Sequence, residues 1–123
     1  MDNTIQITDA ELDIMKVLWA LGSATSPEIL KGVSGNEQKN RNTVKTLLLR
    51  LIQKNAVRYE EIRPRTYRYF PLVTETEYVK HSSMNFLSRV FEGSVDKMLL
   101  NFVKDESITK EDLQRMIDLI EEE

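Results

Sequence analysis

Apolar residues recur along this chain with two periods, and the switch between them divides it into segments. In "ITDAELDIMKVLWALG" they fall at Leu12, Met15 and Trp19 and at Ile14, Leu18 and Leu21, a broad helical face. Thr8 followed by Glu11 forms a capping-box start for this helix, and Gly22 is a suitable stop. Ile5 and Ile7 alternate with polar neighbours just before it, which predicts a short edge strand. "SPEILKGVSG" predicts a second, short helix with Ser26 as N-cap and Pro27 at the first helical position, ending near Val33 to Gly35. "NEQKN" is a polar connector.

The third helix is predicted in "RNTVKTLLLRLIQKNAVRY", capped by Asn40 and closed by Asn55 in the left-handed conformation. At 3.6 residues per turn Val44, Leu47, Leu48 and Leu51 share one face, with Ile52 at its edge. Asn42, Thr46, Leu49, Arg50 and Gln53 then point away from the core, flanked by Lys45 and Lys54. The period then drops to two: "VRYEEI" and "TYRYF" flank "RPR", a hairpin with a basic tip that ends at Pro71. After residue 73 the helical period returns in three segments, the last two capped by Ser94 and by Thr109 with Asp112. The predicted fold is therefore mainly α with a small antiparallel sheet. It comprises a winged helix-turn-helix domain over 1–73 and a helical dimerisation domain over 74–123.

Charge sharpens this division. The formal net charge is -3, yet residues 1–73 hold 11 Lys/Arg against 8 Asp/Glu, and residues 74–123 hold 6 against 12. Between 39 and 68 there are nine basic residues against Glu60 and Glu61, and the third helix from Arg41 to Lys54 has no acid. Local charge, not the overall balance, decides whether a surface attracts phosphate. The element order and this basic face point to a helix that enters the DNA major groove, with the hairpin along the backbone. Arg50 suits guanine or phosphate, Asn42 and Gln53 suit adenine, and Thr46 suits either phosphate or a base. Leu49 is placed to meet a thymine methyl, and Arg63, Arg65 and Arg68 to contact phosphates. Glu60 and Glu61 argue against the first wing strand touching the backbone. A basic amphipathic helix also suits an acidic protein partner, so a winged-helix dimer acting as a protein-interaction module is the alternative.

The C-terminal half has too few helices to bury its apolar residues in one chain. Tyr78, Phe86, Leu87, Val90, Phe91, Leu99, Leu100, Phe102, Val103, Ile117 and Ile120 are assigned to a homodimer seam. A dimer predicts a palindromic operator in double-stranded DNA, with half-sites a helical turn or a multiple of it apart.

Other classes of function find little support. The apolar fraction of 41% is ordinary, and no run reaches the ~18–20 apolar residues of a membrane span. The N-terminal residues lack the basic and apolar regions of a signal peptide, and there is no cysteine, so a cytoplasmic protein without membrane insertion is expected. There is one histidine, no glycine-rich phosphate loop and no paired-carboxylate motif, so neither an enzyme nor a metal site or cofactor is expected. His81 in "KHSSMN" reads as solvated or at an interface, and Trp19 as core.

"TDAELDIMKVLW", "NTVKTLLLRLIQK" and "RYF" followed by "NFLSRVFEGSVDKMLLNFV" resemble the penicillinase-repressor family of bacterial transcription factors (BlaI/MecI/CopY type), over nearly the whole chain. The resemblance implies a homodimeric repressor of β-lactam resistance genes. It also implies induction through a membrane sensor with a zinc-protease domain, leading to cleavage of the repressor. It carries operator reading to Thr43, Lys45, Thr46 and Arg50, and the cleaved bond to Asn101-Phe102. Some members have a proline where this chain has Arg41, which implies an added phosphate contact and an altered base preference. The copper-responsive branch carries Cys-x-Cys pairs that are missing here, so copper sensing is not expected.

Overall fold

The computed structural model describes residues 6–33 and 40–122. The elements follow as α1 (Asp9–Leu21), β1 (Ala24–Thr25), α2 (Ser26–Val33), α3 (Arg41–Gln53), β2 (Val57–Arg63), β3 (Thr66–Pro71), α4 (Glu75–Phe91), α5 (Val95–Lys104) and α6 (Lys110–Glu121). By contacts they form two compact units, Met1–Val79 and Lys80–Glu123.

Local chemistry starts and stops the helices of the first unit. Thr8 Oγ1 accepts from Glu11 N–H at 3.2 Å while Glu11 Oε1 accepts from Thr8 N–H at 3.0 Å, a complete capping box. Gly22 ends α1 at φ 86°, where a side chain would be strained. The start of α2 differs from expectation, because the cap is Thr25, not Ser26. Thr25 N–H donates to Glu28 Oε1 at 2.8 Å and Thr25 Oγ1 faces Glu28 N–H at 3.4 Å, so the box is Thr25 with Glu28 and Ser26 already lies inside the helix. The α2 end is Val33, and Gly35 lies outside the described residues, as does the connector up to Lys39. Helix α3 begins at Asn40, whose Oδ1 accepts from Thr43 N–H at 3.0 Å. It ends in a Schellman motif: Asn55 stands at φ 63°, its N–H bonds Ile52 O, and Ala56 N–H bonds Leu51 O.

The sheet has the order β1-β3-β2, antiparallel throughout. Its third strand is not the predicted one. Ile5 lies outside the described residues and Ile7 is in coil, half-buried against the core, whereas the extra strand is Ala24–Thr25, paired with Tyr69 and Arg68. Two residues are too few to show a period of two, and only the register with β3 makes them a strand.

The core of this unit lies between α1, α2, α3 and the base of the sheet. It buries Ile14, Met15, Leu18, Ile29, Val44 and Leu51 completely, with Leu47, Leu48 and Val57 nearly so. Gly32 lets α2 approach α1, since a Cβ there would sit 2.8 Å from a Val17 methyl. Tyr78, assigned from sequence to the dimer seam, belongs to this first unit. Its ring lies 5.7 Å from that of Trp19, whose indole N–H donates to Val73 O at 2.8 Å, so it is already packed within one chain.

In the second unit Ser94 caps α5, and Thr109 with Asp112 forms a capping box on α6. None of its described residues is buried. Phe86 and Phe91 pack edge to face at 5.7 Å, while Val95, Leu100, Val103, Ile117 and Ile120 stay exposed. Asn101 and Phe102 lie in the last turn of α5, where Phe102 O accepts from Ser107 N–H at 3.0 Å and closes the helix. Asn101 is exposed and Phe102 half-buried. Among the described residues no helix is long and apolar enough to cross a membrane.

Candidate nucleic-acid interface

Burial of Val44, Leu47, Leu48 and Leu51 fixes which side of α3 faces out. With ~100° per residue, the outward side centres on Asn42, Leu49 and Gln53, with Lys45 and Thr46 beside them and Arg50 at the flank. All six are exposed. Leu49 keeps 53% of its surface in water, an apolar side chain with nothing to cover it in this unit. Thr43 turns partly inward instead: its hydroxyl donates to Asn40 Oδ1 at 3.2 Å, so it serves the helix start.

The first turns of α3 share a groove with the wing. Arg41, Asn42 and Lys45 line one side, Arg65 and Tyr67 another, and Ser26 and Lys31 of α2 complete a volume of about 1010 Å³. Four cationic side chains from three elements therefore surround one concave surface. An anion entering it meets Arg41 and Lys45 from one helix and Arg65 from the turn. Gln53 lies at the far end of α3, ~18 Å along its axis from Arg41. The outward face is thus a row running away from the groove.

The wing's acids are both engaged. Glu60 pairs with Arg58 at 2.6 Å, and the Arg58 guanidinium stacks 4.0 Å over the Phe70 ring. Glu61 Oε2 accepts from Arg65 N–H at 3.2 Å, fastening the turn in which Arg65 adopts φ 64°. Tyr59 packs edge to face on Tyr67 at 5.6 Å, on the sheet face that meets the groove. Burial, helped by Tyr67 and Tyr59, pushes the Tyr69 hydroxyl above its ordinary value.

The three wing arginines separate. Arg65 enters the groove and Arg63 is exposed at the end of β2. Arg68 is half-buried, donating to Ser23 Oγ at 3.1 Å with Glu28 Oε1 at 3.7 Å, so it ties β3 to α2. The Thr25 N–H, ahead of the other contacts, holds the Glu28 carboxyl below its ordinary value and keeps this partner ionised. Sequence reasoning missed Lys31, Ser26 and Tyr67. Their spacing carries no signal, because only the packing of α2 and the wing around α3 brings them to Arg41.

A profile of the penicillinase repressor family matches residues 7–122 of this sequence. The chain belongs to the penicillinase repressor family. The penicillinase repressor of Bacillus licheniformis is 34% identical over 117 residues, covering 95% of this chain and 91% of that protein. The methicillin resistance regulatory protein MecI of Staphylococcus aureus is 26% identical over 121 residues and covers 98% of each. Among solved structures, the DNA-binding domain of the repressor BlaI is 37% identical, with a TM-score of 0.54, over 63% of this chain and 94% of that one. The Bacillus licheniformis BlaI monomeric form, solved in complex with the blaP half-operator, matches over the same shares at 37% identity and a TM-score of 0.53. The winged-helix fold of this family member is thus shared with BlaI, over a length comparable to the first unit.

Proposed function

We propose that this family member is a transcriptional repressor that binds double-stranded operator DNA with α3 in the major groove and the wing turn on the backbone. One observation carries the reading: the acid-free outward face of α3 runs directly into a cationic groove shared with the wing turn. That surface belongs to a fold held, in BlaI, in complex with a half-operator. Arg41, Lys45 and Arg65 neutralise phosphates, while Asn42, Thr46, Leu49, Arg50 and Gln53 face base edges. Arg68 orients the wing and does not reach the duplex. Two copies joined through α4–α6 bind a palindromic operator of β-lactam resistance genes. A sensor-linked protease relieves repression by cutting within the dimer region, at Asn101-Phe102. The α5 turn that holds this bond must open first, since Asn101 O accepts from Asp105 N–H at 3.2 Å.

The test is a titration of the purified protein against duplex DNA from upstream of its own gene, with salt varied and random duplex in excess. A preference of ~10³-fold or more for the upstream DNA is expected. Binding abolished by random duplex would overturn the reading and direct the search to an acidic protein partner.

A further inference from the structure

Lys54 is the last residue of the basic run on α3, and its charge is turned away from the outward face of the helix. It is the C-cap residue of the helix. Its ammonium crosses to the start of α1, donating to Glu11 Oε1 at 2.5 Å and to Gln6 O at 2.7 Å. Glu11 is 1% exposed, the single buried charged residue among those described. Its carboxylate also accepts from Thr8 N–H, so one acid closes the α1 capping box and receives the far end of α3. Burial works to raise the Glu11 carboxyl, but the hydrogen bonds from Lys54 and Thr8 outweigh it and hold the group ionised below its ordinary value.

Apolar packing along Val44, Leu47, Leu48 and Leu51 holds α3 in place, but such contacts are non-directional and tolerate small rotations. A tilt of ~10° pivoting at Arg41 moves the other end of a 13-residue helix by ~3 Å, enough to lose a hydrogen bond to a base edge. A buried ion pair adds little net stability over an apolar pair of similar shape, whereas its bonds fix a direction. We infer that Glu11 and Lys54 are a positioning pair that sets the orientation of α3 and thereby operator discrimination, without touching DNA. The inference rests on the operator-binding reading above.

The experiment compares the full-length protein with Lys54→Met, Glu11→Gln and the double variant. Affinity for the operator and for random duplex is measured across a salt series, and folding at the assay temperature is checked by circular dichroism. Lys54→Met is expected to weaken operator binding about tenfold, the effect of one mismatched base pair, with random-duplex affinity and the salt slope unchanged. Glu11→Gln is the test of sign. Removing an acid strengthens DNA binding through charge alone, whereas loss of positioning weakens operator binding. The double variant is expected to lose no more than the larger single loss, because both changes remove one interaction.

Equal loss on both duplexes with a salt slope reduced by about one would make Lys54 a phosphate contact and overturn the inference. Tighter operator binding by Glu11→Gln, or operator affinity unchanged in all folded variants, would overturn it as well. Should Lys54→Met leave Glu11 too poorly compensated to fold, Glu11→Gln and the double variant still decide the matter. A wild-type protein without operator preference would instead remove the function reading itself, before any variant is compared.

Discussion

The two units are built from similar amphipathic helices, capped in the same way, yet they handle apolar surface in opposite ways. Up to Val57 the chain encloses twelve apolar residues among three helices and a sheet, while beyond Val57 no described residue is buried. In α5 and α6, Leu100 keeps 56% of its surface exposed and Ile120 71%. Three helices without a sheet offer one another only narrow stripes, and their apolar sides remain uncovered in a single chain. The first unit is complete in itself. The second has the surface of half a core, which is the physical basis of the proposed homodimer.

The largest expected effect comes from breaking that second half-core. Phe102→Asp should leave a monomer with an intact first unit. Operator affinity should fall by ~10²–10⁴, the gain that a tether provides, while the circular dichroism of the first unit persists. Next, Leu51→Ala in the first unit should cost about 2–5 kcal/mol in urea unfolding whatever the protein concentration. Ile120→Ala should act mainly through the dimer, so its effect on the unfolding midpoint should depend on concentration. Arg50→Ala should weaken operator binding by about 1–3 kcal/mol and leave the sedimentation of the free protein unchanged.

Acid gives a smaller and directional contrast. Glu11 sits below its ordinary 4.5 in the folded first unit, so its contribution is full above that value and fades as pH falls through the lower folded value. Asp112 on α6 shifts in the same direction, chiefly through the Thr109 N–H, but it is only half-buried, in the second unit, and has no bearing on the first. Unfolding of the first unit should therefore become easier below about pH 4.5, with a shallower acid limb in Glu11→Gln, measured by thermal melts across pH.

Where the first unit was legible in the sequence, its determinants are local. Thr8 with Glu11, Asn40, Asn55 and the Arg63-Pro64-Arg65 tip act within a few residues, and each stands in the structure where the pattern puts it. The outward face of α3 was equally legible, because four buried aliphatic residues fix it. Strand β1 was not, since Ala24–Thr25 is defined only by pairing with β3. The Thr25 cap was hidden by the Ser26-Pro27 start signal beside it. Arg68 and Lys54 read as outward cations, and only acids distant in sequence, Glu28 and Glu11, draw them in. Tyr78 carries an ordinary helical apolar signal, and its partner Trp19 lies on a different helix. Charge alone does not reveal which basic residues are already occupied.

Sedimentation of the full chain, alone and with a duplex carrying two half-sites, tests the contrast between the two units most directly. A free dimer at micromolar concentration and two chains per duplex would bear out the division into a closed reading unit and an open joining unit. A monomer at all concentrations, placing one chain on each duplex, would contradict it.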